Sequence, residues 1–324
     1  MSFAGRYRIV RRTVGSATVP PEQPNTEEYT YVASALDIGL SLISTEPVKR
    51  AMASVARTFD SGLPSQERIF QGKPNQEIHD RVNVFIGILH QAMPIIVIDG
   101  NLSGSRIPAY HPRGEWSGVF NPSGQVVNIN RTLVDDMVNS ANTPGAFRRF
   151  QFQFANIFLH EIGAHLLFTY LYHGRPTTPY NAMPANWHNQ VQPGQSAEAP
   201  AGESGRLLEF RAFDGTLEFF GTPQPSTPWV VDNQNQARKV TTGAIDAAVI
   251  QRNFVLPYAT TGPARNVASL VANEGRQGIS VAMGHQERQF IARAREQPIR
   301  FLISRVNLRQ VPGNPNILAQ PVQA

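Results

Sequence analysis

Apolar residues at Phe150, Phe154, Ile157, Phe158, Ile162 and Leu166 recur at steps of three and four. That period belongs to a helix with a buried face, and it predicts one long helix from about Ala146 to Tyr172. Thr143-Pro144-Gly145 opens it and Gly174-Arg175-Pro176 closes it. Upstream, Arg6 to Arg12 alternates like a strand, and the prolines of the next stretch suggest an extended arm. Tyr31 to Ile43 is apolar without a clear period. Thr45-Glu46-Pro47 reads as the start of a helix reaching about Thr58. Ile78, Val82, Phe85, Ile86 and Leu89 place a second helical face within Asn75 to Met93. Strands are predicted over Ile95–Asp99, Glu115–Phe120 and Gln125–Asn130, the last two joined by the turn residues Asn121-Pro122-Ser123-Gly124. Asn130 to Val138 suggests a short helix.

Beyond the long helix, residues 173–202 are rich in Pro, Asn, Gln and Gly, with Tyr180, Trp187 and His188 embedded. A connection of that length is usually functional or mobile. A helical pattern resumes at Gly202-Glu203-Ser204-Gly205-Arg206 and is expected to last to about Phe220, where Thr222-Pro223-Gln224-Pro225 stops it. Gly243–Ile250, Pro263–Val271 and Gln286–Glu296 read as modest helices and Ile299–Leu308 as a late strand. The expected organisation is an extended N-terminal arm over 1–30, a core over 31–225, a mostly helical C-terminal part over 226–311, and a flexible tail over 312–324. The fold class is α+β: a small mixed sheet, a long helix, then a second helix carrying glutamates.

Composition narrows the chemistry. The chain has no cysteine, so disulfides, thiolate nucleophiles and every Cys-based zinc pattern are excluded, leaving His, Asp and Glu as strong metal ligands. The net charge of +5 is spread over dispersed arginines with no like-charge run and no interleaved aromatic ladder, so a nucleic-acid surface is not favoured. Neither a secretory h-region nor a bilayer-length apolar run is apparent, and a soluble cytoplasmic protein is the expectation.

The candidate chemistry lies in His160-Glu161-Ile162-Gly163-Ala164-His165, inside the apolar run of the long helix. Two imidazoles and a carboxylate in such surroundings are costly to bury unless paired ionically or by a metal. The common zinc pattern H-E-x-x-H spaces its histidines by four; here they are five apart. Residues five apart on a regular α-helix differ by about 140° in direction, against about 40° for residues four apart. A common ion therefore requires a π-type turn that absorbs one extra residue, a rare feature concentrated at functional sites. Gly163, lacking a Cβ, eases that distortion.

This motif resembles the H-E-x-x-x-H signature of the dipeptidyl peptidase III family, a branch of the zincin metallopeptidases whose active-site helix bulges around zinc. The resemblance covers the motif and a downstream glutamate segment only. It implies a zincin-like core, a Zn2+ cofactor, His160 and His165 as ligands, and Glu161 as the general base that activates a zinc-bound water. In gluzincins a glutamate on a later helix completes the set; Glu203 is preferred, Glu209 competes for the place, and His188 is the outsider. If Glu203 is the ligand, Glu209 or Asp214 becomes a candidate to orient a histidine. The same comparison casts Gln125–Asn130 as the edge strand lining the cleft. Tyr180, with Tyr170 and Tyr172, is a candidate to stabilise an oxyanion. Arg206 reads as an exposed helix arginine that would otherwise bind a substrate carboxylate, and the remaining histidines, His111 among them, read as structural.

The leading functional expectation is therefore a zinc-dependent hydrolase, with a metallopeptidase first and a peptide or small molecule as substrate. The alternatives are a zinc enzyme of lyase or amidohydrolase type acting on a small molecule, and a basic binding protein without catalysis.

Overall fold

The structure, a computed structural model, describes residues 6–16, 19–63, 65–105, 107–112, 116–173, 204–220, 227–232, 234–274 and 276–277. Strand β1 (Ile9–Arg12) is followed by the helices α1 (Glu27–Ile43), α2 (Glu46–Gly62) and α3 (Asn75–Gln91). Strand β2 (Ile95–Asp99), the two-residue β3 (Ala109–Tyr110) and β4 (Val126–Asn130) complete a first sheet. Helix α4 (Arg131–Asn139) leads into α5 (Pro144–His160), a π turn (Glu161–Leu166) and α6 (Leu167–Leu171), which together form the long helix. After it come α7 (Ser204–Phe213), β5 (Thr216–Phe220), β6 (Thr227–Val231), β7 (Gln236–Val240), α8 (Thr242–Val249), β8 (Thr260–Asn266), α9 (Val267–Glu274) and β9 (Arg276–Gln277). The protein is α+β, with a small mixed sheet and a separate antiparallel sheet.

The first sheet has the order β1-β2-β4-β3, parallel except for the last pair. Parallel strands are normally covered on both faces, and the unbroken apolar run of β2 reflects this. Ile96, Ile98, Val127 and Ile129 face the main core with the helices, whereas Val10, Ile95, Val97 and Val126 form a second cluster on the opposite face. On that face Arg12 pairs with the wholly buried Asp99 at 3.1 Å. At the end of β4 the Asn130 side chain caps α4 through Thr132 N and donates to Leu102 O and Ile107 O, pinning the loop after β2.

Helix α1 lies along α5. Its Gly39 permits the close approach, since a Cβ there would stand 2.9 Å from Phe158 Cβ and 3.1 Å from Ala155 O. Thr26 caps α1 through Tyr29 N, and Glu27 and Glu28 occupy its positive first turn. The buried Asp60 of α2 accepts from Ile69 N at 2.7 Å, Phe70 N at 3.1 Å and Tyr172 Oη at 3.0 Å. The C-terminal end of the long helix is thereby tied to α2.

Several expectations change. Gln125–Asn130 is an internal strand, because Ala109–Tyr110 pairs outside it and takes the edge. Trp116–Phe120 forms no strand; instead Trp116 Nε1 donates to Thr169 O at 2.8 Å and its ring stacks on His173 at 4.1 Å. The extended arm is shorter than residues 1–30, as β1 joins the sheet and α1 starts at Glu27. The helix after Gly202 ends at Phe213, and Thr216–Phe220 is a strand. In place of a mostly helical C-terminal part, the described residues after 226 add β6, β7, β8 and β9 to β5 in the antiparallel order β8-β7-β6-β5-β9, with α8 and α9 as short helices. Pro263–Val271 divides between β8 and α9. Gln286–Glu296, Ile299–Leu308 and the tail over 312–324 lie outside the described residues. Among those described, no helix is long and apolar enough to cross a membrane.

Candidate metal centre

The long helix changes period where the histidine spacing requires it. It is α-helical to His160, takes a π turn from Glu161 to Leu166, and resumes an α-helix at Leu167. The wider turn accommodates the extra residue and returns His165 to the side of His160. The two imidazole centroids are 5.0 Å apart, with the rings nearly perpendicular at 83°. His160 and Glu161 are buried, whereas the His165 side chain keeps 22% of its exposure.

Among the described residues, His160, Glu161 and His165 each offer a ligand atom, all within 4.8 Å of one another. A tetrahedral zinc with bonds of about 2.1 Å holds its ligand atoms about 3.4 Å apart. The two imidazoles are ligands of the right chemistry for zinc, and the cluster is wider than a bound ion would hold it. Each imidazole has Nδ1 against a carboxylate: His160 meets Glu209 Oε1 at 2.8 Å, and His165 meets Glu161 Oε2 at 2.9 Å. A carboxylate at Nδ1 selects the tautomer whose lone pair is on Nε2, the arrangement common around metal-bound histidines.

Helix α7 is brought against the motif by two small residues. A Cβ at Gly205 would overlap the His160 ring at Cγ, Cδ2 and Nε2. A Cβ at Gly163 would come 2.9 Å from Leu208 Cδ2 and 3.3 Å from Leu159 Cδ1, so α7 also packs over the π turn. From α7, Glu209 reaches His160 with one oxygen and accepts from Leu217 N at 2.9 Å with the other. With both oxygens so used, Glu209 is in position to orient the His160 ring. Asp214, directly after α7, is exposed at a φ of 60°, and no contact joins it to a histidine among the described residues.

Glu203, Tyr180 and His188 lie outside the described residues. Of the other tyrosine candidates, Tyr172 donates to Asp60 in the core, and Tyr170 stacks on Phe85 with ring centroids 5.4 Å apart. Both are packing residues. Arg206 is not exposed: it is 3% accessible and pairs with Glu218 at 3.0 Å. Glu218 carries no signal in a sequence whose apolar spacing over 207–220 suits a helix, whereas it stands on strand β5. His111 does more than fill space. Its Nδ1 meets Val126 O at 2.7 Å and its Nε2 meets Thr169 Oγ1 at 2.8 Å, so one ring joins β4 to the long helix a turn beyond His165. The carbonyl at Val126 can only accept, which assigns the proton to Nδ1.

Comparison with protein-family models, with curated proteins and with solved structures finds no match to this chain.

Proposed function

We propose that this protein is a zinc-dependent hydrolase of zincin type, a metallopeptidase, with His160 and His165 as metal ligands and Glu161 as general base. The observation that carries the reading is the π turn. A helix adopts that local geometry at a cost, and here it turns two imidazoles and a carboxylate of a buried face toward one point. Support also comes from Glu209 on the Nδ1 of His160, since a histidine held by a carboxylate is preset to bind metal. Glu203 remains the proposed third ligand. It directly precedes α7, two residues before the glycine that abuts His160.

Zinc held here would supply a Lewis acid that polarises a carbonyl and increases the acidity of water. The chain's own residues do the rest. Glu161, next to His160 in sequence, is the base: its carboxylate, which rests on His165 Nδ1 at 2.9 Å, would turn from that contact to receive the proton of the attacking water and pass it to the leaving amine. His160 is kept from rotating by Glu209 on one side and the Gly205 backbone on the other. The partial exposure of His165 favours an approach of substrate from its side of the motif.

Metal analysis of protein purified without chelators tests the proposal, with about one zinc per chain expected. Glu161→Gln should retain the metal while hydrolysis of a peptide library is abolished. A chain that takes up no stoichiometric zinc ends this reading.

A further inference from the structure

The contact between Glu209 and His160 continues into the second sheet. Arg206, three residues before Glu209 on α7, has its Nη1 3.5 Å from Glu209 Oε2 and 3.0 Å from Glu218 Oε1 on β5. The same nitrogen donates to Leu217 O at 3.2 Å, and Leu217 N donates to Glu209. The three side chains are at most 4% exposed. Two carboxylates this deep repel each other, and the guanidinium between them offsets that repulsion. The contacts share one nitrogen, so the guanidinium acts here as a single positive charge set between the two carboxylates.

We infer that Arg206 and Glu218 are positioning residues for the metal centre: the pair holds Glu209 in the rotamer that receives the Nδ1 proton of His160, and so aims His160 Nε2 at the ion. The inference rests on the zinc reading for its last step only. Glu209 has three carbon–carbon bonds about which to turn, and its approach to His160 is fixed at its far end by Leu217 N and Arg206. Without the guanidinium, the far oxygen of Glu209 is held by Leu217 N alone, and its preference for a protonated His160 Nδ1 weakens. Glu218 acts one step further out, by holding Arg206.

The test compares the full chain with the double variant R206M/E218M and with Glu218→Gln. Replacing both members of a buried pair by apolar residues of similar length avoids leaving one charge alone. Two quantities are read besides the melting temperature: the ring nitrogen shifts of His160 in metal-free protein, assigned by their loss in His160→Gln, and the zinc dissociation constant from competition with a chromophoric chelator. The expected result is a single Nδ1–H form in the wild type, a mixture of tautomers in the double variant, and zinc binding about tenfold weaker or more, the usual effect of losing an outer partner. Glu218→Gln shifts both readouts in the same direction by less, and decides the matter if the double variant fails to fold. An unchanged tautomer with an unchanged dissociation constant, even with a lower melting temperature, overturns the inference and leaves the pair a structural one. If the wild type binds no zinc, the proposed function falls, while the tautomer comparison still decides whether the pair positions His160.

Discussion

Gly205 lies flat against the imidazole of His160, so close that any Cβ would enter the ring. Gly205→Ala therefore has to displace either α7 or the histidine. It is expected to cost about 1–3 kcal/mol, as overpacking does, and to weaken zinc uptake, both read from a thermal melt with and without metal. Gly163→Ala should be milder than Gly205→Ala, because the atoms in its way are the mobile ends of Leu208 and Leu159. If the two substitutions behave alike, the close approach at His160 has no special role.

The π turn is one residue in excess of a regular helix. Deleting Gly163 should restore α-geometry, leave both flanking helices in register and put the histidines at the four-residue spacing that also faces one ion. The variant is expected to fold and to keep zinc. Deleting Ala155 from α5, where no excess residue exists, should abolish folding. Equal damage from the two deletions, judged by circular dichroism and metal content, would count against the turn as an accommodated insertion.

Asp60 accepts from two backbone amides and from the Tyr172 hydroxyl. Asp60→Ala orphans three donors, two of them buried, and a loss of about 3 kcal/mol is expected from denaturant titration. Tyr172→Phe removes one bond and should cost about 1 kcal/mol.

Alkaline pH should destabilise the protein from about pH 10 upward. Burial raises the ionisation of Tyr7, Tyr172 and Tyr258 well above the normal tyrosine range and pushes Tyr110 up to about 12. In the unfolded chain each tyrosine loses its proton near pH 10. Their protonated stability is thus complete below about pH 10 and is lost as pH rises toward the folded values. Tyr258→Phe should flatten that decline, as measured by melting temperature against pH.

The bend in the helix was legible because five is not a helical spacing: once His160 and His165 were to face one ion, the extra residue had to be absorbed nearby. The buried strands were legible from their β-branched runs. The start of the second sheet was less so, because Leu207 to Phe220 holds apolar residues at spacings that suit a helix as well as a strand. The informative signal was Asp214-Gly215, a turn dipeptide. Asp214 takes the left-handed conformation, and a Cβ on Gly215 would come within 2.7 Å of Val231 O. Missing that turn hid Glu218, and with it the reason for a buried Arg206. No single-chain pattern announces an ion pair whose members face each other from a helix and the strand after it.

The path from His160 through Glu209 and Arg206 to Glu218 runs from the long helix to a strand of the second sheet. A ligand that grips His160 consequently braces two parts of the fold at once. Its binding free energy, about 2.7 kcal/mol at a concentration a hundredfold above the dissociation constant, would be shared by both. The apolar core already runs through both parts, so zinc should raise the melting temperature of the whole fold in a single transition, making the centre a keystone for folding as well as a place for chemistry.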